Sequence, residues 1–487
     1  MRLGNLIKNL NIIELVNIEN FDEEIENISY NSKKTQPNDI FVCRTGEQVD
    51  GHEFAQEAIA NGAIACVVER RLTIDAPQIV VSSTSEQLAK ISDIFYAEPS
   101  KKLNVIGVTG TNGKTTVAHL VQKILEQANK KCALIGTLGY KLSSKDDYLE
   151  AKHTTPQAPQ MQGTLKKILD NEIENVITEV SSHALEQFRV KNCNFSTSIF
   201  TNLTQDHLDY HITMDNYFNA KAKLFQTLKA QNNAIINNDD KYAKKLIETI
   251  NPEVNIITYG VKNKADLMAK NIEFMSDGVI FDCHYQNNIV NFKLHLNGMF
   301  SVYNCLAAIG AGIANGIDIE VIKEALEETR SVAGRFEIVS TNPMIIVDYA
   351  HTPDGLENIL RAARELTSKD GNLICLFGCG GNRDCTKRPK MGKIAQQLCD
   401  KIVITSDNPR SEDPQQIITD ILSGLSLINP KTVFVEADRH LAIKLLKDIS
   451  NENDVLVLAG KGHENYQILA DKTIHFDDRE EVTKVFG

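Results

Sequence analysis

Residues 107–116 read Gly107-Val-Thr-Gly-Thr-Asn-Gly-Lys-Thr-Thr116, between an apolar run at 103–108 and a stretch of helical periodicity at 117–129. A glycine-rich loop that leaves a strand, ends in Lys-Thr and opens a helix is the setting of a phosphate-binding loop. Its glycines let backbone N–H groups turn toward phosphate oxygens, and the helix N-terminus adds the positive end of its dipole. Lys114 can reach the β- and γ-phosphates of a nucleotide, and the Thr115 hydroxyl is placed to hold Mg2+. The strict spacing asks for glycine at 108, where this chain has Val108, so the loop is a variant. Strand, loop and helix together set the fold class as α/β.

The pattern extends outward from that loop. Apolar runs at 133–135, 176–179, 198–200 and 234–236 alternate with helical stretches such as 217–228. This alternation predicts a mostly parallel sheet with helices on both faces, and the even alternation at 279–296 predicts an antiparallel excursion. Upstream, short apolar runs at 39–42 and 63–68 flank a helical stretch at 52–61, as in a small α/β domain. Pro99-Ser-Lys-Lys102 reads as a linker, and Leu3, Leu6, Ile7, Leu10 and Ile13 lie at helical spacing.

Downstream, five apolar runs each end in a polar or glycine cluster. These are Asp348-Tyr-Ala-His-Thr-Pro-Asp354, Gly378-Cys-Gly-Gly-Asn-Arg-Asp384, Ser406-Asp-Asn-Pro-Arg410, Glu436-Ala-Asp-Arg439 and Ala459-Gly-Lys-Gly-His-Glu464. Open α/β sheets bind ligands beyond the carboxyl ends of their strands, so these clusters predict a binding face. The expected organisation is three domains: a small N-terminal α/β domain at 1–101, a central P-loop parallel-sheet ATPase domain at 102–333, and a C-terminal Rossmann-like domain at 334–487. A chain of 487 residues agrees with that number, at about 150 residues per domain.

With 52 Lys and Arg against 64 Asp and Glu, the net charge is −12, which argues against nonspecific nucleic-acid binding. It leaves anionic ligands open, because a few placed cations are screened from the distant surface within about 10 Å. No apolar run reaches the roughly 18 residues of a membrane span, and no signal peptide is evident. A cytoplasmic protein, monomeric and acting on small molecules, is expected. The ten cysteines show no CxxC pair and read as small buried hydrophobes rather than zinc ligands.

Two further clusters fall at strand ends near the phosphate loop: Glu179-Val-Ser-Ser-His183 and Asn202-Leu-Thr-Gln-Asp-His-Leu-Asp-Tyr-His211. A carboxylate and imidazoles beside a triphosphate suggest metal ligands, since Mg2+ favours oxygen-rich, anionic surroundings. Lys221 and Lys223, taken alone, read as solvated surface lysines.

Gly110-Thr-Asn-Gly-Lys-Thr-Thr116, Glu179-Val-Ser-Ser-His183 and the 202–211 cluster, in this order, resemble the Mur ligases, ATP-dependent amino-acid-adding enzymes of peptidoglycan synthesis. Gly334-Arg-Phe-Glu337, Gly381-Asn-Arg-Asp384, Asp407-Asn-Pro-Arg410 and Gly460-Lys-Gly-His-Glu464 are similar to the branch that extends UDP-N-acetylmuramoyl-L-alanyl-D-glutamate. The resemblance implies that meso-diaminopimelate is joined to the D-glutamate γ-carboxylate through an acyl phosphate. It implies ATP contacts at Gly110, Thr111, Asn112, Gly113, Lys114, Thr115 and Thr116, with Asn304, Arg335 and Asp348 closing over the nucleotide. Ser32 and His52 match the uridine end of the substrate, and Thr154, Thr155, Ser182, Gln187 and Arg189 match its muramoyl-dipeptide path. The family's usual Asp-Ser-Arg reads Asn31-Ser32-Lys33 here.

Two Mg2+ ions are implied, with Thr115, Glu179, His207 and a carbamylated Lys221 as ligands; the carbamate rests wholly on the resemblance. Lys114, Lys221, His207 and Glu179 are the expected catalytic set. For diaminopimelate the matching positions are Arg383, Asp407, Asn408, Arg410, Gly460 and Glu464. Its far end carries a carboxylate as well as an ammonium, and the planar arginine fork suits that carboxylate.

Alternatives are the L-lysine-adding version of the ligase and folylpolyglutamate synthase, which shares the phosphate loop. A P-loop kinase and a nonenzymatic nucleotide-binding regulator are readings of other classes. Lys114→Ala is expected to abolish phosphate release, whereas Arg410→Ala should mainly raise the KM for diaminopimelate. Unchanged diaminopimelate binding in Arg410→Ala would defeat the specificity assignment.

Overall fold

A computed structural model describes residues 1–46, 49–149, 153–275 and 277–487. The chain packs into two compact units, residues 1–107 with 130–196 and residues 108–129 with 197–487. Their boundaries differ from those of the three sequence segments, and side-chain contacts join neighbouring segments within each unit. In the first unit, Tyr30 Oη donates to Gln160 Oε1 at 2.9 Å and Arg44 Nη1 to Gln157 Oε1 at 3.1 Å. In the second, Asn112 Nδ2 donates to Asp354 Oδ2 at 2.8 Å, joining the phosphate loop to a helix 242 residues further along.

The first unit holds a five-stranded sheet in the order Ile12–Val16, Gln78–Val81, Ala65–Val68, Asp39–Val42, Asn27–Ser29, parallel except for its first strand. The N-terminal helical spacing is realised only over Leu3–Ile7. Residues Ile12–Val16 instead pair as a strand with Gln78–Val81, where the β-branched Ile12, Ile13 and Val16 fit the pleated surface. The expected linker is a 3-10 turn, Pro99–Lys102. Its Ser100 is buried and accepts a hydrogen bond from the Asn194 N–H at 3.1 Å, so this segment is packed rather than free. Strands Cys132–Gly136 and Asn175–Glu179 pair in parallel within the same unit.

Strand Asn104–Thr109 carries the chain from the first unit into the second, where helix Lys114–Gln127 begins. Strands Asn233–Asn237 and Asn255–Gly260 are parallel. Leu267–Met275, Gly278–Tyr285 and Asn288–Leu294 then form the antiparallel excursion that the alternation predicts.

The last 150 or so residues form a second sheet in the order Glu337–Thr341, Met344–Asp348, Val455–Ala459, Leu373–Phe377, Lys401–Ile404, Val433–Val435. All but the first pairing are parallel. Its strands bury both faces. Leu373, Cys375 and Phe377 pack with Leu356, Leu360 and Met391, whereas Ile374 and Leu376 pack with Ala442, Ile443 and Leu446. Helices thus cover both sides, as a doubly wound parallel sheet requires. Because the strands are parallel, residues 348, 378, 405, 436 and 459 follow or end strands on one edge of the sheet.

One buried ion pair closes that edge. Arg439 and Asp478 are both fully buried, joined at 2.8 and 2.6 Å, and Arg439 Nη2 also donates to the Ala459 carbonyl at 3.2 Å. Removing one partner leaves a buried charge uncompensated, so Arg439→Leu should destabilise the chain by about 3–5 kcal/mol in urea unfolding. Wild-type stability in that variant would show that the pair contributes nothing.

Candidate active site

The phosphate loop is built by close approach. Gly110 (φ +154°) has no room for a Cβ, which would lie 1.8 Å from Thr201 Oγ1. Gly113 (φ +87°) is the N-cap of helix Lys114–Gln127, and a Cβ there would meet Asn304 Oδ1 at 2.5 Å. Asn304 is therefore held against the loop by its own helix, Met299–Ala314. Around the turn, the Asn112 N–H donates to Asn202 Oδ1 at 2.9 Å, and Thr111 Oγ1 donates to the Thr204 carbonyl at 3.1 Å.

Two lysine side chains converge on one carbonyl. Lys114 Nζ donates to the carbonyls of Gly110 and Thr111 at 2.9 and 2.8 Å, and Lys221 Nζ donates to Gly110 at 2.8 Å. Lys221, on helix Met214–Gln226, is buried, which overturns the surface reading of this residue. Its burial and the nearby Lys114 charge push its pKa well below the usual lysine range.

Thr115 is buried, and its Oγ1 accepts from Arg335 Nη2 at 3.0 Å. The Arg335 guanidinium lies 4.5 Å from the centroid of the Tyr349 ring. Asp348 accepts the Phe336 and Ala350 N–H groups, each at 2.7 Å, and so shapes the turn beside Arg335. Burial raises the Asp348 pKa. A cavity beside the loop is lined by Thr116, His295, Asn297, Phe300, Arg330 and Arg335. His207 (φ +55°) sits 3.3 Å from the buried Asp206, whose other oxygen is 3.5 Å from Lys387. Burial alone would raise the Asp206 carboxyl, but Lys387, His207 and His351 hold it well below the carboxylate range.

In the first unit, Glu179 ends its strand fully buried, accepting the Thr137 N–H and hydroxyl, each at 2.9 Å. Gly136 permits this, since a Cβ would fall 2.2 Å from Glu179 Oε1. Thr155 Oγ1 donates to the Glu179 carbonyl at 2.9 Å, Thr154 Oγ1 lies 3.2 Å from Thr137 Oγ1, and Arg189 Nη1 donates to the Thr155 carbonyl at 2.9 Å. Gln187 Oε1 accepts from Arg189 Nη2 at 2.6 Å, and Ser182 is buried beside them on helix Ser182–Glu186. The structure thus brings Thr154, Thr155, Glu179, Gln187 and Arg189 together.

Ser32 opens a 3-10 turn capped by the Asn31 side chain, which accepts the Lys33 N–H at 3.1 Å. Asparagine therefore does here what an aspartate cap would do. Both ring nitrogens of His52 are engaged: Nδ1 lies 2.6 Å from Asp50 Oδ1, and Nε2 accepts the Glu69 N–H at 2.9 Å. The Arg70 guanidinium and the His52 N–H hold the Asp50 carboxyl below its usual range.

The third cluster lies at the carboxyl edge of the last sheet. Arg410 (φ +54°) donates through Nη1 to the Gly381 carbonyl at 2.8 Å and stands beside Arg383, whose Cγ is 3.8 Å from a Cβ built on Gly380. Burial and the Arg383 charge lower the Arg410 pKa. Asn408 Nδ2 donates to Glu464 Oε2 at 2.8 Å, and Asp407 Oδ2 would lie 3.1 Å from a Cβ on Gly460 (φ +113°). Two guanidinium groups thus accompany two carboxylates. Sequence reasoning assigned no role to Lys461, which sits inside this cluster, or to Asp354, which grips the phosphate loop. Both lie in quoted motifs, but nothing in their spacing distinguishes them from turn residues.

A phosphate loop at one strand end and a mixed-charge cluster at another are the marks of a nucleotide-using α/β enzyme. Family models match residues 24–96 (Mur ligase family, catalytic domain), 108–312 (Mur ligase middle domain) and 334–462 (Mur ligase, glutamate ligase domain). The chain belongs to the Mur ligase family, and its three domains are those of the family. It is 46% identical, over 100% of its length and 99% of the relative's, to the UDP-N-acetylmuramoyl-L-alanyl-D-glutamate–2,6-diaminopimelate ligase of Clostridium botulinum. It is 43% identical to the ligase of the same name from Bacillus velezensis, over 99% and 98% of the two chains. A solved structure of a ligase of that name superposes with a TM-score of 0.68 at 32% identity, covering 100% and 98%. The MurF ligase of Thermotoga maritima in complex with ADP shares the fold, with a TM-score of 0.63 at 18% identity over 95% and 97% of the chains.

The crowding at Gly110 is testable. Gly110→Ala should abolish nucleotide binding in calorimetry, whereas Gly316→Ala (φ +70°), whose Cβ meets nothing within 4 Å, should cost stability through backbone strain but leave nucleotide binding unchanged. Normal binding by Gly110→Ala would show that the loop has another resting geometry.

Proposed function

We propose that this chain joins meso-diaminopimelate to the D-glutamate γ-carboxylate of UDP-N-acetylmuramoyl-L-alanyl-D-glutamate, with ATP, in peptidoglycan synthesis. Its relatives carry that name over the full length. The observation that carries the reading is the third cluster: Arg410 and Arg383 offer a cationic pole, and Asp407 and Glu464 an anionic one. The far end of diaminopimelate is a zwitterion, and its carboxylate suits the arginine fork. L-lysine lacks that carboxylate and would leave the arginines without it.

The three segments 1–101, 102–333 and 334–487 are the working domains in this reading, for uridine nucleotide, ATP and amino acid. The uridine end falls to Ser32 and His52, and the dipeptide path to Thr154, Thr155, Ser182, Gln187 and Arg189. ATP falls to residues 110–116 with Asn304, Arg335 and Asp348. The substrate γ-carboxylate attacks the γ-phosphorus in line, giving ADP and an acyl phosphate. The neutral diaminopimelate amine then attacks the acyl carbon and expels phosphate. Both first reactants are anions, so Lys114 and Arg335 act chiefly by holding and neutralising charge. Exclusion of water protects the acyl phosphate.

Among the described residues, no group of three or more His, Cys, Asp or Glu side chains could hold a metal by itself. Mg2+ is commonly held by one or two carboxylates together with substrate phosphates; Thr115, His207 and a Lys221 carbamate would be the donors in the second unit, and Glu179 the donor in the first. Two bound Mg2+ ions would supply charge neutralisation and orientation of the phosphates. A cytoplasmic monomer completes the reading.

Carbamate forms from the neutral amine. A lowered lysine pKa leaves Lys221 neutral at pH values where an exposed lysine stays charged, so trapping should rise with pH. A 13C carbamate resonance from labelled bicarbonate, present in wild type and lost in Lys221→Arg, is expected. The deciding assay for the function is ATP-dependent phosphate release with the UDP-dipeptide, comparing meso-diaminopimelate with L-lysine. Preference for L-lysine would defeat the specificity, and release with folate substrates would defeat the family branch.

A further inference from the structure

We propose that Lys461 is a positioning residue for the amino-acid site: its ammonium holds one oxygen of Glu464 and leaves the other, with the Asp407 carboxylate, to take a ligand ammonium. This rests on the amino-acid reading above. Strand Val455–Ala459 ends at Gly460, whose positive φ turns the chain so that the Lys461 side chain enters the interior, fully buried. Lys461 Nζ donates to Glu464 Oε2 at 3.0 Å and to the Tyr466 carbonyl at 2.5 Å, and lies 4.0 Å from Asp407 Oδ1.

Glu464 Oε2 also accepts from Asn408 at 2.8 Å, so that oxygen has two donors. Among the described residues, Glu464 Oε1 has the Tyr466 hydroxyl alone, at 3.4 Å. Asp407 is buried, and among the described residues its Oδ1 has no hydrogen-bond partner. A buried carboxylate oxygen without a donor is costly, and a ligand N–H would relieve it.

The charges agree. Asp407 and Glu464 with Lys461 leave one net negative charge, which one ammonium balances. The other groups facing them are Arg410, Tyr349, Tyr466, His463 and Arg439, and Arg439 is matched by Asp478. Burial and Asp407 push the Glu464 carboxyl up, while Lys461 and Asn408 pull it down. Loss of Lys461 removes that pull, so Glu464 takes a proton at higher pH and no longer attracts an ammonium by charge.

The test is steady-state kinetics on the full chain from about pH 6.5 to about pH 9. Lys461→Met should raise the KM for diaminopimelate at least about tenfold at neutral pH, a defect that shrinks as pH rises, with the KM for ATP and the UDP-dipeptide unchanged. Lys461→Arg should recover part of the loss. The double variant Lys461→Met/Glu464→Gln should be no worse than Glu464→Gln, because Lys461 acts through that carboxylate. Additive losses, an equal rise in all three KM values or a pH-independent defect would overturn the proposal. If Lys461→Met fails to fold, the same cycle with Lys461→Gln decides. Wild-type preference for L-lysine would defeat the diaminopimelate reading alone, since the cycle can then be read with lysine's own ammonium.

Discussion

The carbonyl oxygen of Gly110 accepts hydrogen bonds from two lysine side chains, and much of the second unit is arranged around the loop that presents it. Lys114 comes from the helix the loop opens, while Lys221 comes from a helix more than a hundred residues away. Two like charges tolerate such proximity when burial favours the neutral form of one, and Lys221 is the buried one. Thr201 and Asn304 close in where the loop has glycines, so neither could approach a loop bearing side chains there. The loop is held in shape by packing from several directions as well as by its own backbone.

That loop is also tied to the C-terminal part of the second unit. Asp354 stands in the first turn of helix Pro353–Leu366, where an acid is favoured by the helix dipole, and its Oδ2 takes the Asn112 amide. Thr352, the N-cap of the same helix, donates to Asn112 Oδ1 at 3.3 Å. Lys387 reaches Asp206 beside His207, and Arg335 reaches Thr115. Every one of these contacts joins a residue of the expected central segment to one of the expected C-terminal segment. A reaction that hands an activated carboxyl to an amine needs such coupling, because the two chemistries must share one place.

The charged cluster around Asp407, Arg410 and Glu464 shows the same economy at a parallel-sheet edge. Asp407 follows Lys401–Ile404, and Gly460 and Lys461 follow Val455–Ala459, the two parallel strands that flank Leu373–Phe377, so parallel order brings their ends to one edge of the sheet. Arg439 and Asp478 stabilise that edge from below without contributing charge to it, since each neutralises the other. The remaining charges, Arg383 and Arg410 on one side and Asp407, Lys461 and Glu464 on the other, are what a zwitterionic ligand would meet.

Much of this was legible in the sequence. The phosphate loop, the strand-end clusters and the doubly wound last sheet follow from local rules: glycine spacing, apolar runs and the polar residues after them. Lys221 was not legible, because a lysine on an amphipathic helix reads as solvated until the partner elements that bury it are known. Asp354 was opaque for the same reason, since its partner Asn112 lies 242 residues away, and the approach of Lys461 to Asp407 likewise depends on a strand end from elsewhere in the chain. The N-terminal segment shows the converse error, since helical spacing over a few residues yielded to pairing with Gln78–Val81. Local pattern determined which elements form and which chemistry they carry. Only the tertiary structure decided which charges are buried, paired or left facing a ligand, because desolvation and hydrogen bonding depend on neighbours that the chain brings from far away.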